Sequence, residues 1–152
     1  MPIPEFMPNG TLPPGIHAAA LAEIVERYGR SSEARERQAR LLQLIVEAAL
    51  NYPTIKRILV WGSFVTSEAE PNDLDFSIVV PREYDRIQIE EPHRRFFVPY
   101  ESKQFYGTDT GYLLIHDYPL PKFSELMDFI CGNGAPQRGI IEINLCCENR
   151  SE

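Results

Sequence analysis

The sequence predicts an α/β (α+β) domain, and two kinds of pattern indicate it. Four short runs rich in β-branched and aromatic residues are typical of strands, and longer segments with an apolar residue every three or four positions are typical of helices. The chain has 152 residues, of which 43% are hydrophobic and 24% charged. These values are ordinary for one globular domain with its own core, so we treat 1–152 as a single domain.

The two ends of the chain are predicted to lack regular structure. Residues 1–16 contain five prolines and two glycines, which favour an extended arm over a helix or an inner strand. Apolar residues within this arm indicate that it lies along the body of the domain. His17 stands where a helix is expected to begin, and local hydrogen bonding is favoured over catalysis as its role. The polar tail 148–152 is expected to fray.

Two helices are predicted ahead of the first strand. Ala18–Tyr28 has one apolar and one charged face, and Ser31 or Ser32 is expected to cap a second, longer helix that ends before Pro53. The charge run over 33–40 is interpreted as a solvated face with i,i+3 and i,i+4 pairs. This second helix is expected to pack on one face of the sheet.

The remaining elements follow from the apolar runs. The predicted strands are Ile58–Trp61, Phe76–Val80, Thr108–His116 and Gly139–Leu145, and a last helix is predicted over Pro121–Gly132. Basic and aromatic residues alternate irregularly over 92–106. A core-facing segment with one polar side is favoured there over a segment that binds a base and a phosphate.

The link between the first two strands carries the residues suited to chemistry. Gly62 and Ser63 directly follow the first strand, and nine residues separate Ser63 from Asp73. Asp73 and Asp75 alternate along a strand, so they share one face with Cα atoms roughly 6.5–7 Å apart and suit a hard divalent cation. The glycine would let a phosphate approach the backbone, and a short helix starting after Ser63 would add an anion site. An ordinary turn followed by a solvated strand residue is the alternative.

This pattern resembles the nucleotidyltransferase superfamily with its DNA polymerase beta-like core, in which a Gly-Ser pair precedes Asp-x-Asp by about ten residues. The resemblance implies a mixed sheet with helices packed mainly on one face, preceded here by two N-terminal helices. It is closest to small single-domain bacterial members found in toxin–antitoxin pairs. The run Leu12–His17 also resembles the opening of an uncharacterised bacterial family in this superfamily. Two departures, Phe64–Ser67 in place of an Ala-Arg-Gly turn and Asn72 in place of serine, leave the nucleotide preference open.

The resemblance also implies a set of catalytic, metal-binding carboxylates. Asp73 and Asp75 would hold Mg²⁺, and a third acid would come from a later strand. Asp109, at the start of the third predicted strand, is our choice for that acid. The alternatives are Glu142, Asp117 or no third acid, although alternation puts Glu142 on the solvent side and Asp117 suits a turn.

The reaction implied is Mg²⁺-dependent transfer of a nucleoside monophosphate from a nucleoside triphosphate, such as ATP, to a hydroxyl acceptor. The residues expected to bind the triphosphate are Gly62, Ser63, Thr66 and Ser67. A protein side chain or a tRNA 3′ end is the implied acceptor, and a cognate toxin or antitoxin the implied partner. Because the arginine after Gly-Ser is missing, a catalytically silent module that binds a nucleotide or a partner is the alternative.

Charge, cysteine content and hydropathy bear on the acceptor and on where the protein works. The net charge of −7 indicates a surface that repels nucleic acid, which favours a protein acceptor over tRNA. Three cysteines without a CxxC pair predict neither a disulfide framework nor a zinc site. The sequence has no signal-peptide pattern and no apolar run of about 18 residues. We therefore expect a cytoplasmic protein that does not engage a membrane.

Overall fold

A computed structural model describes residues 3–53, 55–71, 74–80, 90, 110–116, 138–146 and 148, with the backbone alone for 110–116. The elements are β1 (Gly15–Ala18), α1 (Leu21–Tyr28), α2 (Glu33–Ala49), β2 (Arg57–Trp61), β3 (Leu74–Val80), β4 (Thr110–His116) and β5 (Gly139–Asn144). The coarse prediction of a mixed α+β fold is confirmed. The segment 92–106 and the helix predicted over 121–132 lie outside the described residues.

The described strands form one mixed sheet in the order β1-β5-β2-β3-β4. β2 is antiparallel to both of its neighbours, β3 and β5, whereas β1 pairs parallel with β5 and β4 pairs parallel with β3. All four predicted strands form within two residues of the expected bounds. This order places the link between β2 and β3, which carries the Gly-Ser and Asp-x-Asp residues, near the centre of the sheet.

The two faces of the sheet differ in chemistry because side chains alternate along each strand. The core face contributes Ile58, Val60, Phe76, Ile78, Ile141 and Ile143 to a cluster with the buried residues of α1 and α2. The second face carries the polar side chains of the three central strands: Arg57, Trp61, Asp75, Ser77 and Glu142. Both described helices therefore pack on the core face and leave the candidate site on the other.

The N-terminal arm ends in a strand, which the sequence analysis did not predict. Gly15–Ala18 pairs parallel with β5, so His17 lies in an edge strand and not at the start of a helix. The pairing with β5 is a tertiary constraint that overrides the local helical pattern, and α1 begins only at Leu21. The expected local hydrogen bond of His17 is present, with its Nε2 lying 2.7 Å from the carbonyl oxygen of Pro13.

The rest of the arm lies along the body of the domain, as predicted. Ile3 and Leu12 are buried. The Ile3 N–H donates to Glu23 (2.6 Å), and Arg27 donates to the Ile3 carbonyl (2.7 Å). The Arg27 guanidinium also lies 5.0 Å from the centre of the Phe6 ring. Opposite charges on α1 therefore bind both backbone polar groups of Ile3.

The first residue of the predicted frayed tail is ordered by α1. Ala20 at the N-cap has no side chain to cap the helix. Glu148 supplies the missing acceptor, because its Oε2 receives the Leu21 N–H at 3.1 Å. The prediction of fraying is wrong for Glu148, whose carboxylate also suits the positive end of the helix dipole. Residues 149–152 lie outside the described residues.

The apolar stripe of α2 offers a matched pair of leucines for a stability test. Leu42 is fully buried, whereas Leu44 is 48% exposed. We expect Leu42→Ala to lower the free energy of unfolding by about 2–5 kcal/mol, because it removes buried methyl groups and leaves a cavity. Leu44→Ala should change it by less than about 0.5 kcal/mol. Urea unfolding followed by circular dichroism measures both, and equal losses would contradict this assignment of the core.

Candidate functional site

The structure brings the Gly-Ser pair and one of the aspartates together. β2 ends at Trp61, and the chain turns at Gly62 into a single 3₁₀ turn over Ser63–Val65. Trp61 pairs directly with Asp75 across β2 and β3. A turn of this length has no helix dipole to offer, so the anion site expected from a helix after Ser63 is reduced to individual backbone N–H groups.

Gly62 is required for two reasons. Its φ of +83° lies in a region that side chains with a Cβ rarely adopt. A Cβ at this position would also collide with the Asp75 carboxylate. The space that the glycine leaves is therefore occupied by a carboxylate oxygen, whereas the sequence analysis assigned it to a phosphate. Asp75 itself is half-buried, so its carboxylate is not closed off from solvent.

Asp73 and Asp109, the other two predicted metal ligands, lie outside the described residues. The register next to them is described, because β3 and β4 pair in parallel from Leu74 and Thr110 onward. In the chain, Asp73 directly precedes Leu74 and Asp109 directly precedes Thr110. The two aspartates therefore occupy equivalent positions in the sequence, each one residue ahead of the first strand pair.

Glu142, an alternative third acid, is engaged elsewhere. It lies on the same face as Asp75 but in β5, with β2 between them, and it pairs with Leu59. Its Oε2 forms a 2.7 Å ion pair with Arg57, and its side chain is only 18% exposed. Glu142 lies on the face opposite the buried Ile141 and Ile143, as alternation predicted, and the structure adds the ion pair with Arg57 that holds it there. Asp117, the other alternative, lies outside the described residues.

Thr66 and Ser67, predicted to bind the triphosphate, have structural roles in the turn. The Thr66 hydroxyl donates to the Ser63 carbonyl (2.7 Å) and accepts the N–H of Glu68 (3.2 Å). The Ser67 N–H donates to the carbonyl of Gly10 in the N-terminal arm (2.9 Å). Ser67 remains exposed, whereas the hydroxyl of Thr66 is committed to the local backbone.

A buried arginine, which the sequence analysis placed on a solvated face, holds the chain after the Gly-Ser turn. We call residues 64–71 the motif loop. Arg35 donates to three of its carbonyls: from Nη1 to Phe64 (2.8 Å), from Nη2 to Thr66 (2.7 Å), and from both Nη2 (2.6 Å) and Nε (3.2 Å) to Glu68. A fifth bond runs from Nη1 to the Tyr28 carbonyl at 3.2 Å.

The guanidinium of Arg35 is satisfied without a carboxylate. Arg35 is 4% exposed and forms no ion pair with any residue that the structure describes. Its cation lies 5.6 Å from the centre of the Phe64 ring and 6.0 Å from that of Tyr28. Burial lowers the pKa of Arg35 because removal from water disfavours the charged form, and the nearby Tyr28 and Glu68 oppose that fall.

Gln38 extends the same contact by one helical turn. It is buried, and its Nε2 donates to the Pro71 carbonyl at the far end of the motif loop (2.7 Å). The prediction of a solvated face over 33–40 is therefore wrong for Arg35 and Gln38, while Arg37 and Arg40 are exposed. The sequence could have indicated this burial: Arg35 and Gln38 lie seven and four residues before buried Leu42, so all three share one face of the helix.

Trp61 lies next to Asp75 on the second face, and a buried serine orients it. The Trp61 Nε1–H donates to the hydroxyl of Ser77 at 3.1 Å, and Ser77 is fully buried. The indole is half-buried. Because Trp61 is the single tryptophan of the chain, its fluorescence reports on the neighbourhood of Asp75.

The described residues contain neither a ready metal-binding cluster nor a helix that could span a membrane. No cluster of three or more His, Cys, Asp or Glu side chains that could hold a metal ion was found among them, and this search excludes Asp73 and Asp109. None of the helices in this part of the chain is long and apolar enough to cross a membrane.

Comparison with known proteins assigns the chain to a family. The family of unknown function DUF6932 matches residues 4–144. The chain belongs to this family. Neither the curated proteins nor the solved structures gave a significant match. The part of the chain that matches DUF6932 includes the Gly62–Ser63 turn, Asp75 and Arg35, so the geometry described above lies within the family's own region.

Tyr28 closes the buried side of the motif loop. Its ring packs between Phe6 and Phe64, and its hydroxyl has no hydrogen-bond partner among the described residues. Burial raises the pKa of Tyr28 to about 12, with the nearby Arg27 and Arg35 opposing that rise. The hydroxyl is thus a polar group buried at a cost to stability.

The close approach of Gly62 and Asp75 yields a test. We expect Gly62→Ala to lower the free energy of unfolding by about 1–3 kcal/mol from backbone strain, with a further loss from the collision with Asp75. Gly15→Ala is the control, because φ there is +137° but a Cβ would meet nothing closer than His17 at 3.8 Å. Equal losses in urea unfolding would show that the carboxylate contact contributes nothing.

The raised pKa of Tyr28 predicts a specific sensitivity to alkali. The unfolded chain loses the phenolic proton near pH 10, and the folded one near pH 12. Stability due to this group is therefore unchanged below pH 10 and falls by about 1.4 kcal/mol per pH unit between these values. Tyr28→Phe should remove this component of the slope, and at pH 8 it should be at least as stable as wild type.

Tyr52→Phe is the matched control for this experiment. The hydroxyl of Tyr52 accepts the N–H of Glu90 at 3.0 Å, so its removal should cost about 0.5–1.5 kcal/mol at pH 8. The control should retain the alkaline slope that depends on Tyr28. Urea unfolding at several pH values measures both variants, and identical slopes for wild type and Tyr28→Phe would contradict the assignment.

Proposed function

We propose that this member of the DUF6932 family is a Mg²⁺-dependent nucleotidyltransferase with a nucleotidyltransferase-like fold. One observation carries the proposal: the Gly62–Ser63 turn at the end of β2 lies against the carboxylate of Asp75 at the start of β3. The Gly-Ser pair and the second aspartate of Asp-x-Asp are separated in sequence, and their closeness in space is what the superfamily motif requires. The strand order, with β2 antiparallel to β3 at the centre of a mixed sheet, is compatible with the same proposal.

Asp75 is the one predicted metal ligand that the structure describes, and its carboxylate suits a hard divalent cation. Asp75 is half-buried at the edge of the turn, and carboxylate oxygens are the ligands that Mg²⁺ prefers. The β3–β4 register supports Asp73 and Asp109 as the other ligands, since both directly precede the paired residues Leu74 and Thr110. Bound Mg²⁺ would neutralise the charge of the triphosphate and of the departing pyrophosphate.

The chain's own residues would position the substrate. Gly62 gives Asp75 room beside the turn, and Ser63 is half-buried at the point where the chain leaves β2. The terminal phosphates would be held by backbone N–H groups and the hydroxyl of Ser63, because the Thr66 hydroxyl is engaged with the backbone. The exposed Ser67 is the other hydroxyl candidate from the predicted set.

The acceptor follows from charge. With a net charge of −7, the protein is better suited to a protein hydroxyl than to a tRNA 3′ end. A cognate toxin or antitoxin is the partner that the superfamily resemblance favours. Under this proposal the chain works in the cytoplasm and modifies or silences that partner.

A catalytically silent nucleotide- or partner-binding module is the second candidate. One observation favours it: the carbonyls and the threonine hydroxyl of the motif loop are committed to internal bonds, and this loop contains no basic residue to meet a polyphosphate. Triphosphate binding without transfer would favour this second candidate over the enzyme.

The proposal predicts a metal-dependent change in Trp61 fluorescence. We expect ATP, GTP, CTP or UTP to shift the emission in the presence of Mg²⁺, because Trp61 pairs directly with Asp75. Asp75→Asn should weaken the apparent affinity about ten-fold or more, as one charged ligand is lost. Glu70→Gln, an exposed acid of the motif loop, is the matched control and should bind like wild type.

Activity is measured with labelled triphosphates, total tRNA and candidate partner proteins as acceptors. Asp73→Asn combined with Asp75→Asn should abolish transfer while leaving the circular dichroism spectrum unchanged. Full transfer by the double variant would overturn the catalytic assignment. The absence of a response to every Mg²⁺–triphosphate in the wild-type protein would overturn the proposed function as a whole.

A further inference from the structure

We infer that Arg35 is a positioning residue of the candidate site: through the carbonyls of the motif loop it sets the path of that loop, and with it the position of the candidate Ser67 hydroxyl relative to the Gly62–Ser63 turn. The role in ligand binding rests on the proposed function, whereas the ordering of the loop does not. Nothing in the superfamily motif points to Arg35, which lies 27 positions ahead of Gly62 in the chain and reaches the site only through the fold.

The loop is held from one side at regular intervals. Arg35 binds the carbonyls of Phe64, Thr66 and Glu68, every second residue, and Gln38 binds that of Pro71. These four carbonyls therefore turn toward the same helix face. Two side chains one turn apart on α2 thus control the whole path from the 3₁₀ turn to the residue before Asn72–Asp73.

The loop has little internal support of its own. Beyond the 3₁₀ turn it forms neither helix nor strand. Within the part of the chain that the structure describes, its other hydrogen bonds are the turn bonds of Val65 and Thr66 and the bond from the Ser67 N–H to Gly10 in the arm. The register of β2 and β3 already places Asp75 beside Gly62, so the path of the loop determines where the Ser67 hydroxyl and the backbone after Ser63 lie relative to that carboxylate.

The guanidinium is suited to this task because it is planar and carries five N–H donors in a fixed fork. Three of its nitrogens are used at once on carbonyls from four residues. A lysine ammonium is a compact charge that cannot reach this set of acceptors from one position. Arg35→Lys should therefore keep the positive charge but lose the hydrogen bonds that order the motif loop.

Hydrogen exchange and ligand affinity test the inference together. Arg35→Met removes the donors, and Arg37→Met on the exposed face of the same helix is the matched control with the same change of charge. Peptides that cover residues 64–71 should exchange about ten-fold faster in Arg35→Met than in Arg37→Met without any ligand. Exchange of β5 should be much less affected.

The second measurement is the titration of Mg²⁺–triphosphate by Trp61 fluorescence, at a temperature where both variants are folded. Arg35→Met and Arg35→Lys should bind about ten-fold more weakly than Arg37→Met. A purely structural role would lower the melting temperature and leave this affinity unchanged, and that result would overturn the inference. Loop exchange equal to that of Arg37→Met would also overturn it.

Gln38→Met is a second variant that tests the same inference if Arg35→Met does not fold. It removes only the bond to the Pro71 carbonyl, and it should accelerate exchange at the end of the motif loop and weaken the affinity in the same direction. Unchanged exchange in this variant would count against the inference. If the wild-type protein binds no triphosphate, the proposed function fails, and the exchange data alone decide whether Arg35 orders the loop.

Discussion

Arg35 is a buried cation whose hydrogen bonds go to backbone carbonyls. These bonds connect α2 and the end of α1 to the loop of the candidate site. The Arg35 guanidinium has no described carboxylate partner, so its stability depends on the carbonyls of the motif loop and of Tyr28. The loop in turn holds the arm through the contact between Ser67 and Gly10. Helix, loop and arm therefore form one interdependent unit beneath the sheet.

The sheet separates packing from chemistry. Its core face is apolar and is covered by both described helices, whereas the second face carries an ion pair, an oriented indole and the half-buried Asp75. Both described helices therefore cover one face of the sheet, and the candidate site lies on the other. Gly62 serves both the fold and the candidate site, because it lets the chain turn after β2 and leaves room for the Asp75 carboxylate.

Much of this arrangement could be predicted from the sequence, because its determinants are local. Four strands are apolar runs bounded by turn residues, and they form within two residues of the predicted bounds. The meeting of Gly62 with Asp75 follows from the antiparallel register of β2 and β3. The edge strand β1 was not predictable in this way, because a proline-rich arm has no local strand pattern and its partner, β5, lies far along the chain.

Arg35 and Gln38 were misjudged for a different physical reason. Charge in a sequence indicates exposure, and an arginine is normally buried only with a partner. Here the partners are carbonyls, which every residue has and which leave no signature in the sequence. Glu142 shows the same limit: alternation places it correctly on the second face, but only the structure reveals that Arg57 neutralises it there.

The pairing of β1 with β5 has a consequence for how the protein forms in the cell. The contact of Leu21 with Glu148, beside this strand pair, spans 127 positions, nearly the whole length of the polypeptide. During translation, the arm and the first strand emerge from the ribosome long before β5 exists, so this edge of the sheet closes last. Contacts between residues so far apart in the sequence slow folding, because a long loop must close before they can form.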